Sequence, residues 1–197
     1  MLIPISNNSV KVAKDCLLSG KPIIYPTDTL YSFGAIATDT NAIQSINKLK
    51  KRVSPLSIIV PNIKSIENFG YIRTRYIDYI QKILPGKYTI LIEAKKHDLS
   101  PLIQNKSKLI GIRIPDNKFT NLLVKSLNQP IVTTSVNIHG EPPLIDVDKI
   151  ERNYPSIDIF HSKRKLDSEG STILDLSKEP ISIIRLGDEK NIDELFS

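Results

Sequence analysis

The spacing of short apolar runs along the chain limits most strongly what it can fold into. Two of these runs, 171–176 and 181–186, are typical of strands, and only residues 177–180 separate them. A parallel connection between neighbouring strands needs about a dozen residues or more, so this pair has to be antiparallel. Helical patterns alternate with strands elsewhere, and those helices must pack on the sheet. We therefore predict an α+β protein of the three-layer α/β type, with a twisted, mixed parallel and antiparallel sheet and flanking helices.

Hydrophobic periodicity assigns the individual elements. Apolar residues at helical spacing predict helices over 8–18, 40–51, 76–84, 117–127 and 147–153, with a short helix after Asp188. Asn7 or Asn8 is expected to cap the first helix, and Asp116 the fourth. Alternating or continuous apolar runs predict the other strands, over 21–26, 56–60, 87–95, 109–114, 130–134 and 157–160. Because no repeat and no long linker divides the chain, we expect one domain over residues 1–197.

Charge and cysteine content narrow the class of protein. Lys and Arg total 27 against 21 acidic residues, a formal net charge of +6, which suits anionic partners such as nucleotides, phosphate or RNA. The single cysteine, Cys16, excludes an intramolecular disulfide, and the histidines lack metal-ligand spacing. The sequence has no signal-peptide pattern and no run of about 18 apolar residues. We expect a soluble, cytoplasmic protein with no membrane partner.

Polar side chains gather where predicted strands end. The stretch YPTDTLYSFG at 25–34 follows an apolar strand and carries more hydroxyl groups than a chain reversal needs. The segment TTSVN at 133–137 ends another apolar strand in three hydroxyls and an amide. Such groups at strand ends hold phosphate oxygens or a metal-bound water. Both segments therefore indicate a ligand site.

A basic cluster at the end of the second predicted helix is a candidate for phosphate binding. It consists of Lys48, Lys50, Lys51 and Arg52. Cations are also favoured at helix C-termini by the helix dipole alone. The cluster by itself leaves both interpretations open.

Arg113 is a second basic candidate, because it interrupts an apolar strand. Strand alternation places it with Gly111 on the face opposite the isoleucines at 110, 112 and 114. A buried guanidinium without a partner is costly, so Arg113 needs either an anionic ligand or a structural salt bridge. Gly111 on the same face is expected to leave room for a ligand.

Common catalytic motifs are absent from the sequence. Ser135 has no suitably placed histidine base, and neither a Walker loop nor a G-x-G-x-x-G segment occurs. If a nucleotide binds, hydroxyl, Lys and Arg side chains must hold its phosphates. Catalysis would then depend on positioning and charge neutralisation rather than on a covalent nucleophile.

Taken in chain order, these segments resemble the motifs of the YrdC-like family, the threonylcarbamoyl-AMP synthases. The matching segments are YPTDTLYSFG at 25–34, KKR at 50–52 with PL at 55–56, PGKYT at 85–89, IRIP at 112–115, SVNIHGEPP at 135–143, STI at 171–173 and IRLG at 184–187. The resemblance spans residues 22–187 and implies a YrdC-like fold with a concave basic cleft.

The resemblance implies an activity and its reactants. The family joins L-threonine, bicarbonate and ATP into L-threonylcarbamoyladenylate and releases pyrophosphate, for the N6-threonylcarbamoyladenosine modification of tRNA. The chain is thus expected to be an ATP-dependent nucleotidyltransferase, with Mg²⁺ accompanying ATP. Double-stranded RNA binding, tRNA and downstream threonylcarbamoyl-transferase proteins are implied as further partners.

The resemblance also implies roles for individual residues. The guanidinium of Arg113 would fork onto the threonine carboxylate. The full set implied for L-threonine is Thr27 or Thr29, Arg113 and Ser171, and the set implied for ATP is Lys50, Arg52, Ser135, Asn137 and Arg185. Lys50 and Arg52 are the implied catalytic pair, and no residue is assigned to a metal.

Departures from the family pattern leave alternatives open. The loop between Arg52 and Pro55 is shorter than usual, and His139 replaces a usual serine. The short loop and the net charge of +6 favour a second hypothesis, a non-catalytic YrdC-like protein that binds RNA or nucleotides. Carbamoyl transfer to another acceptor is a third, because YrdC-like domains also occur in hydrogenase-maturation carbamoyltransferases.

Overall fold

The structure is a computed structural model and describes residues 1–6, 8–51, 55–162 and 166–189. Three predictions lie outside these residues. They are the phosphate-binding and catalytic role of Arg52, the cap at Asn7 and the helix after Asp188.

Helices and strands alternate along the chain. The α-helices are α1 (Ser9–Leu18), α2 (Thr40–Lys50), α3 (Ile77–Ile83), α4 (Pro101–Gln104), α5 (Lys118–Leu127) and α6 (Val147–Asn153), and short 3₁₀ helices cover Ile63–Asn68 and Thr74–Tyr76. The strands are β1 (Leu2–Pro4), β2 (Ile23–Pro26), β3 (Tyr31–Gly34), β4 (Ser57–Ile59), β5 (Gly70–Tyr71), β6 (Tyr88–Ala94), β7 (Leu109–Arg113), β8 (Ile131–Ser135), β9 (Asp158–His161), β10 (Thr172–Asp175) and β11 (Ser182–Arg185). None of the helices within the described ranges combines the length and the apolar content needed to cross a bilayer.

The strands join in one mixed sheet. Their order is β1-β9-β2-β3-β8-β4-β7-β6-β10-β11, and β5 pairs with β6 beside this path. The pairs β1·β9, β2·β9, β4·β7 and β6·β10 are parallel. β10 and β11 are antiparallel, as their short connection predicts. The predicted mixture of parallel and antiparallel strands is confirmed.

Helices cover both faces of this sheet, so the predicted layers are present. On one face α1 and α5 bury Leu17 and Leu123 against Tyr25 of β2. On the other face the larger core includes Ile43 of α2 and Ile80 of α3. Each helix presents an apolar stripe to the sheet, which is how an amphipathic helix gains most of its stability.

The first polar segment is a β-hairpin, which the sequence analysis did not predict. β3 pairs antiparallel with β2, with Tyr25 opposite Ser32. The backbone N–H of Thr27 donates to the carbonyl of Leu30 at 3.1 Å and closes the connection between the strands. β3 is only four residues long, too short for its alternation to stand out beside a polar turn.

Of the two predicted helix caps, one has the right position and the other is wrong. Asn8 occupies the N-cap position of α1, as predicted, but its side chain makes no capping hydrogen bond. α5 is capped by Asn117, whose Oδ1 accepts from the N–H of Thr120 at 3.1 Å. Asp116 instead donates its backbone N–H to Asp28 Oδ2 at 2.9 Å, and this contact joins the start of α5 to the hairpin.

Candidate functional site

One face of the central strands forms the floor of a cleft. In β8, Thr133 and Ser135 are two residues apart and therefore point to the same face. Ser135 lies opposite Ser32 of β3, and Thr133 lies opposite Ser57 of β4. Ser57 in turn lies opposite Gly111 of β7. Strand register thus aligns hydroxyl groups from three neighbouring strands.

The same face continues towards the edge of the sheet. Gly111 lies opposite Leu91 of β6, and Thr89 precedes Leu91 by two residues. Thr89 lies opposite Ile173 of β10, which lies opposite Arg185 of β11. Seven neighbouring strands, from β3 to β11, therefore contribute to one continuous surface.

A cleft of about 520 Å³ opens over this surface, a volume typical of small-molecule sites. It brings together residues that are far apart in sequence. The predicted site residues that line it are Thr29, Lys50, Arg113, Ser135, Asn137, Ser171 and Arg185.

Arg113 is buried on the cleft floor and held by the hairpin. Its Nη2 donates to Asp28 Oδ1 at 2.9 Å and to Thr29 Oγ1 at 3.2 Å. Its Nε is buried and has no hydrogen-bond partner among the described residues. The structural salt bridge that the sequence left open is therefore present, and part of the guanidinium's donor capacity is still unused.

Burial perturbs both members of this ion pair. It raises the pKa of the Asp28 carboxyl and lowers that of the Arg113 guanidinium, because loss of water disfavours each charged form. Their mutual attraction opposes both shifts. Asp28 thus offsets much of the charge of Arg113, while the guanidinium keeps its Nε donor available at the cleft floor.

Of the two threonines that the sequence left as alternatives for substrate contact, Thr27 is not among the residues that line the cleft. Its Oγ1 donates to the Leu30 carbonyl at 2.8 Å and accepts from the N–H groups of Thr29 and Leu30, both at 3.2 Å. The Thr27 hydroxyl therefore pairs with backbone N–H and C=O groups of the hairpin turn. Thr29, two residues later, is the threonine that reaches the cleft.

Ser171 and Arg185 form the opposite wall. Arg185 donates from Nε and Nη2 to the carbonyl of Ser171, at 3.2 and 2.7 Å, and Ser171 Oγ lies 2.8 Å from Thr89 Oγ1. Partial burial and the nearby charge of Arg113 lower the pKa of Arg185. Two guanidinium groups that repel each other across a cleft favour an anionic ligand between them.

The ammonium group of Lys50 is hydrogen-bonded within the protein. The end of α2 buries this side chain, and its Nζ donates to the Ser135 carbonyl at 2.5 Å. It also donates to the carbonyl and the Oδ1 of Asn137, at 3.1 and 2.8 Å. An ammonium group has three donors, and all three have acceptors here. Lys50 thus ties α2 to the turn after β8.

Gly111 serves a different purpose from the one expected. A Cβ at this position would lie 2.6 Å from Ser57 Oγ, so the space is already filled by the serine hydroxyl. The glycine allows Ser57 to lean across the cleft floor towards β7. The expected room for a ligand at Gly111 is therefore wrong.

Several cleft residues were not assigned from the sequence. Ser32 and Thr133 stood inside polar clusters, and Thr89 belonged to a matching motif, but none received a role. In the sequence Ser57 is a single hydroxyl residue in an apolar run. It lies at the cleft because β4 pairs with β8, and the sequence does not reveal that pairing. Asp28 was visible as a carboxylate, but its partner Arg113 lies 85 residues away.

A mixed sheet between two helical layers, with two guanidinium groups over a hydroxyl-lined floor, defines an α/β protein with a candidate anion-binding cleft. The chain belongs to the Sua5/YciO/YrdC family, whose model, described as "Telomere recombination", matches residues 15–187. The suspected YrdC-like resemblance is therefore confirmed.

Individual relatives agree with this assignment. A putative threonylcarbamoyl-AMP synthase of Methanocaldococcus jannaschii is 34% identical over 179 residues, which cover 87% of this chain and 82% of that protein. The crystal structure of P. abyssi Sua5 complexed with L-threonine has a TM-score of 0.90 at 24% identity and covers 99% of this chain, but only 60% of its own chain is matched. The crystal structure of E. coli YciO has a TM-score of 0.89 at 22% identity and covers 96% of this chain and 97% of its own. The predicted fold is confirmed.

Proposed function

We propose that the protein is a threonylcarbamoyl-AMP synthase, which joins L-threonine, bicarbonate and ATP and releases pyrophosphate for tRNA modification. The observation that carries the proposal is the convergence of Thr29, Arg113, Ser135, Ser171 and Arg185 on one cleft. The name of the M. jannaschii relative and the L-threonine in the P. abyssi Sua5 complex support it.

The threonine carboxylate would bind at Arg113. Its contacts with Asp28 and Thr29 use only Nη2, so Nε and Nη1 take no part in them. Charge-assisted hydrogen bonds to a carboxylate are roughly twice as strong as neutral ones, so this buried cation supplies the main attraction. Ser171 and Arg185 would close the other side of the amino acid.

The nucleotide would bind towards β8, beside Ser135 and Asn137. Lys50 fixes this turn and contributes its positive charge there. Mg²⁺ would enter with ATP, because it binds through substrate phosphates more often than through an all-protein site. Arg52 belongs to the same predicted group.

The reaction needs positioning and charge neutralisation. The threonine amine would bond to the bicarbonate carbon, and water and the ammonium proton would leave, which gives a carbamate. A carbamate oxygen would then bond to the α-phosphorus of ATP as the bond to pyrophosphate breaks. Both reactants are anionic, so Arg113, Arg185 and Lys50 would lower the barrier by offsetting their repulsion.

The direct test is pyrophosphate release by the purified protein with ATP, Mg²⁺, bicarbonate and L-threonine. We expect release that depends on threonine, with labelled threonine recovered in a carbamoyl-adenylate by mass spectrometry. Absence of threonine-dependent release across pH and salt conditions would contradict the proposal.

A second candidate is a non-catalytic protein that binds RNA or nucleotides. The net charge of +6 and the engaged ammonium of Lys50 favour it. It predicts RNA binding that weakens steeply with salt, without turnover. Adenylate formation in the assay above would exclude it.

A further inference from the structure

The residues just before β10 form part of the cleft wall without regular secondary structure. Residues 166–171 belong to no helix or strand, and Glu169, Gly170 and Ser171 line the cleft. Gly170 has a φ of +98°, a backbone conformation that other residues rarely adopt. Because no helix or sheet ladder holds these backbone groups, the position of the segment depends on contacts from elsewhere in the chain.

Asp188, which follows β11, supplies most of these contacts. Its Oδ1 accepts from Ser168 Oγ at 2.9 Å and from the Glu169 N–H at 2.7 Å. Its own backbone N–H donates to the Gly170 carbonyl at 2.9 Å. One residue therefore holds three consecutive residues of the cleft wall, immediately before Ser171.

Lys87 fixes the other oxygen of the same carboxylate. Its Nζ lies 2.9 Å from Asp188 Oδ2, and the Asp188 side chain is only 11% exposed. Lys87 comes directly before β6, and β6 pairs with β7, the strand of Arg113, and with β10. The wall segment is thus fastened to the strands that carry both sides of the proposed threonine position.

Asp188 also acts on the cleft through its charge, and this effect has the opposite sign. The attraction of its carboxylate opposes the fall in the pKa of Arg113 that burial causes, so its field reaches that guanidinium. A negative charge near Arg113 weakens the attraction of the cleft for another carboxylate. If Asp188 acted through charge alone, its removal would strengthen the binding of L-threonine.

We propose that Asp188 is a positioning residue for L-threonine, which holds residues 168–171 so that Ser171 faces the amino acid bound at Arg113. This inference rests on the proposed synthase function. Asp188 itself is not among the residues that line the cleft, so it acts through the segment that it holds. Without its carboxylate, threonine binding has to order that segment, and ordering about one residue corresponds to about a tenfold loss of affinity.

The test is calorimetric binding of L-threonine and of ATP to the purified protein. We expect Asp188→Ala to weaken threonine binding by about tenfold, and to raise the KM for threonine in the pyrophosphate assay. ATP affinity should stay within about twofold of wild type, because the proposed nucleotide position is at β8. Asp188→Asn keeps an oxygen that can accept from Ser168 and Glu169, so its threonine affinity should stay within about threefold of wild type.

Asp175→Ala is the matched control, from the other end of β10. Asp175 Oδ1 accepts from Ser177 Oγ at 2.6 Å and from the Ser177 N–H at 3.0 Å, and Oδ2 lies 3.7 Å from Lys178 Nζ. Asp175 therefore has the same kinds of partner as Asp188, but neither it nor these partners line the cleft. We expect Asp175→Ala to lower the melting temperature and to leave threonine affinity within about twofold of wild type.

Hydrogen exchange at the Glu169 amide gives a measurement that needs no substrate. This N–H donates to Asp188 Oδ1, so it should exchange slowly in the wild-type protein and in Asp188→Asn. We expect faster exchange in Asp188→Ala, and wild-type exchange in Asp175→Ala. Equal exchange rates in wild type and Asp188→Ala would show that Asp188 does not hold the segment.

The binding outcomes separate this role from the function itself. Threonine affinity in a folded Asp188→Ala protein that equals or exceeds the wild-type value would overturn the positioning role. An equal loss of affinity in Asp175→Ala would also overturn it, because the effect would then follow stability alone. If the wild-type protein neither binds threonine nor releases pyrophosphate, the proposed function fails, and the role of Asp188 in it fails as well.

Discussion

At the scale of single residues, the two threonines of the hairpin turn show how position decides role. Thr27 Oγ1 serves buried backbone groups, whereas Thr29 Oγ1 accepts from Arg113 at the cleft. We expect Thr27→Val to lower the free energy of unfolding by about 2 kcal/mol, because two backbone N–H groups lose their acceptor. Thermal unfolding should show a fall of roughly 4–8 °C.

Thr29→Val is the paired substitution, and we expect it to affect threonine binding more than stability. Arg113 keeps Asp28 as a partner, so stability should change less than in Thr27→Val. Threonine binding, measured by calorimetry, should weaken by about tenfold because the guanidinium loses one of the contacts that orient it. Equal effects of both substitutions on threonine affinity would contradict the separation of roles.

Arg113→Lys tests the carboxylate assignment while keeping a positive charge beside Asp28. A lysine cannot form the planar two-point contact of a guanidinium. We expect threonine affinity to fall by about 100-fold, with ATP affinity within about twofold of wild type. Threonine affinity equal to that of the wild type in a folded variant would refute the assignment.

At the scale of elements, the β10–β11 pair forms the wall of the cleft through a close backbone approach. A Cβ on Gly187 would lie 2.2 Å from the Gly170 carbonyl oxygen and 2.6 Å from the Ser171 carbonyl carbon. Both obstacles are backbone atoms, which cannot rotate away. Gly187 therefore allows the end of β11 to hold Arg185 against Ser171.

Gly187→Ala should move this wall and weaken the site. We expect a loss of about 1–3 kcal/mol in unfolding free energy from the forced separation. Pyrophosphate release should fall at the same time, because Arg185 and Ser171 shift together. Leu186→Ala is the control, since that side chain is 54% exposed and should tolerate truncation. A Gly187→Ala protein with wild-type kinetics would show that the wall does not need this approach.

At the scale of the whole molecule, Asp188 joins distant parts of the described chain. Its Oδ2 lies 2.9 Å from Lys87 Nζ, and its Oδ1 accepts from Ser168 Oγ at 2.9 Å and from Glu169 N–H at 2.7 Å. Burial alone would raise the pKa of Asp188, but these hydrogen bonds together lower it below its ordinary value. The carboxylate form is therefore stabilised by folding.

This linkage predicts a pH dependence of stability. A lowered folded-state pKa means that the contribution is fully present above the ordinary Asp pKa of about 4, and is lost as pH falls through the lowered value. Asp188→Asn should cost about 1–3 kcal/mol at neutral pH, and the difference from wild type should close in acid. Urea unfolding across pH measures it, with exposed Asp15→Asn as control. If the difference in unfolding free energy between Asp188→Asn and wild type persists in strong acid, the stabilising role of the Asp188 carboxylate is contradicted.

Much of the site was visible in the sequence as separate pieces. Arg113 was predicted to lie opposite the three isoleucines of its strand, and β7 has this arrangement because alternation is a local property of an extended chain. Thr27 and Thr29 were indistinguishable, since both follow the same strand and carry the same hydroxyl. Ser57 was hidden, because its importance depends on which strand lies beside it.

The sequence by itself determined the alternation of helices and strands, the antiparallel last pair and the set of polar strand ends, because these follow from periodicity and connection length. Only the tertiary structure decided that β8, β4 and β7 are neighbours, that Thr27 faces the turn and Thr29 the cleft, and that Lys50 holds the turn after β8. Those features depend on strand order and register, which are set by long-range packing and hydrogen bonds between segments far apart in the chain.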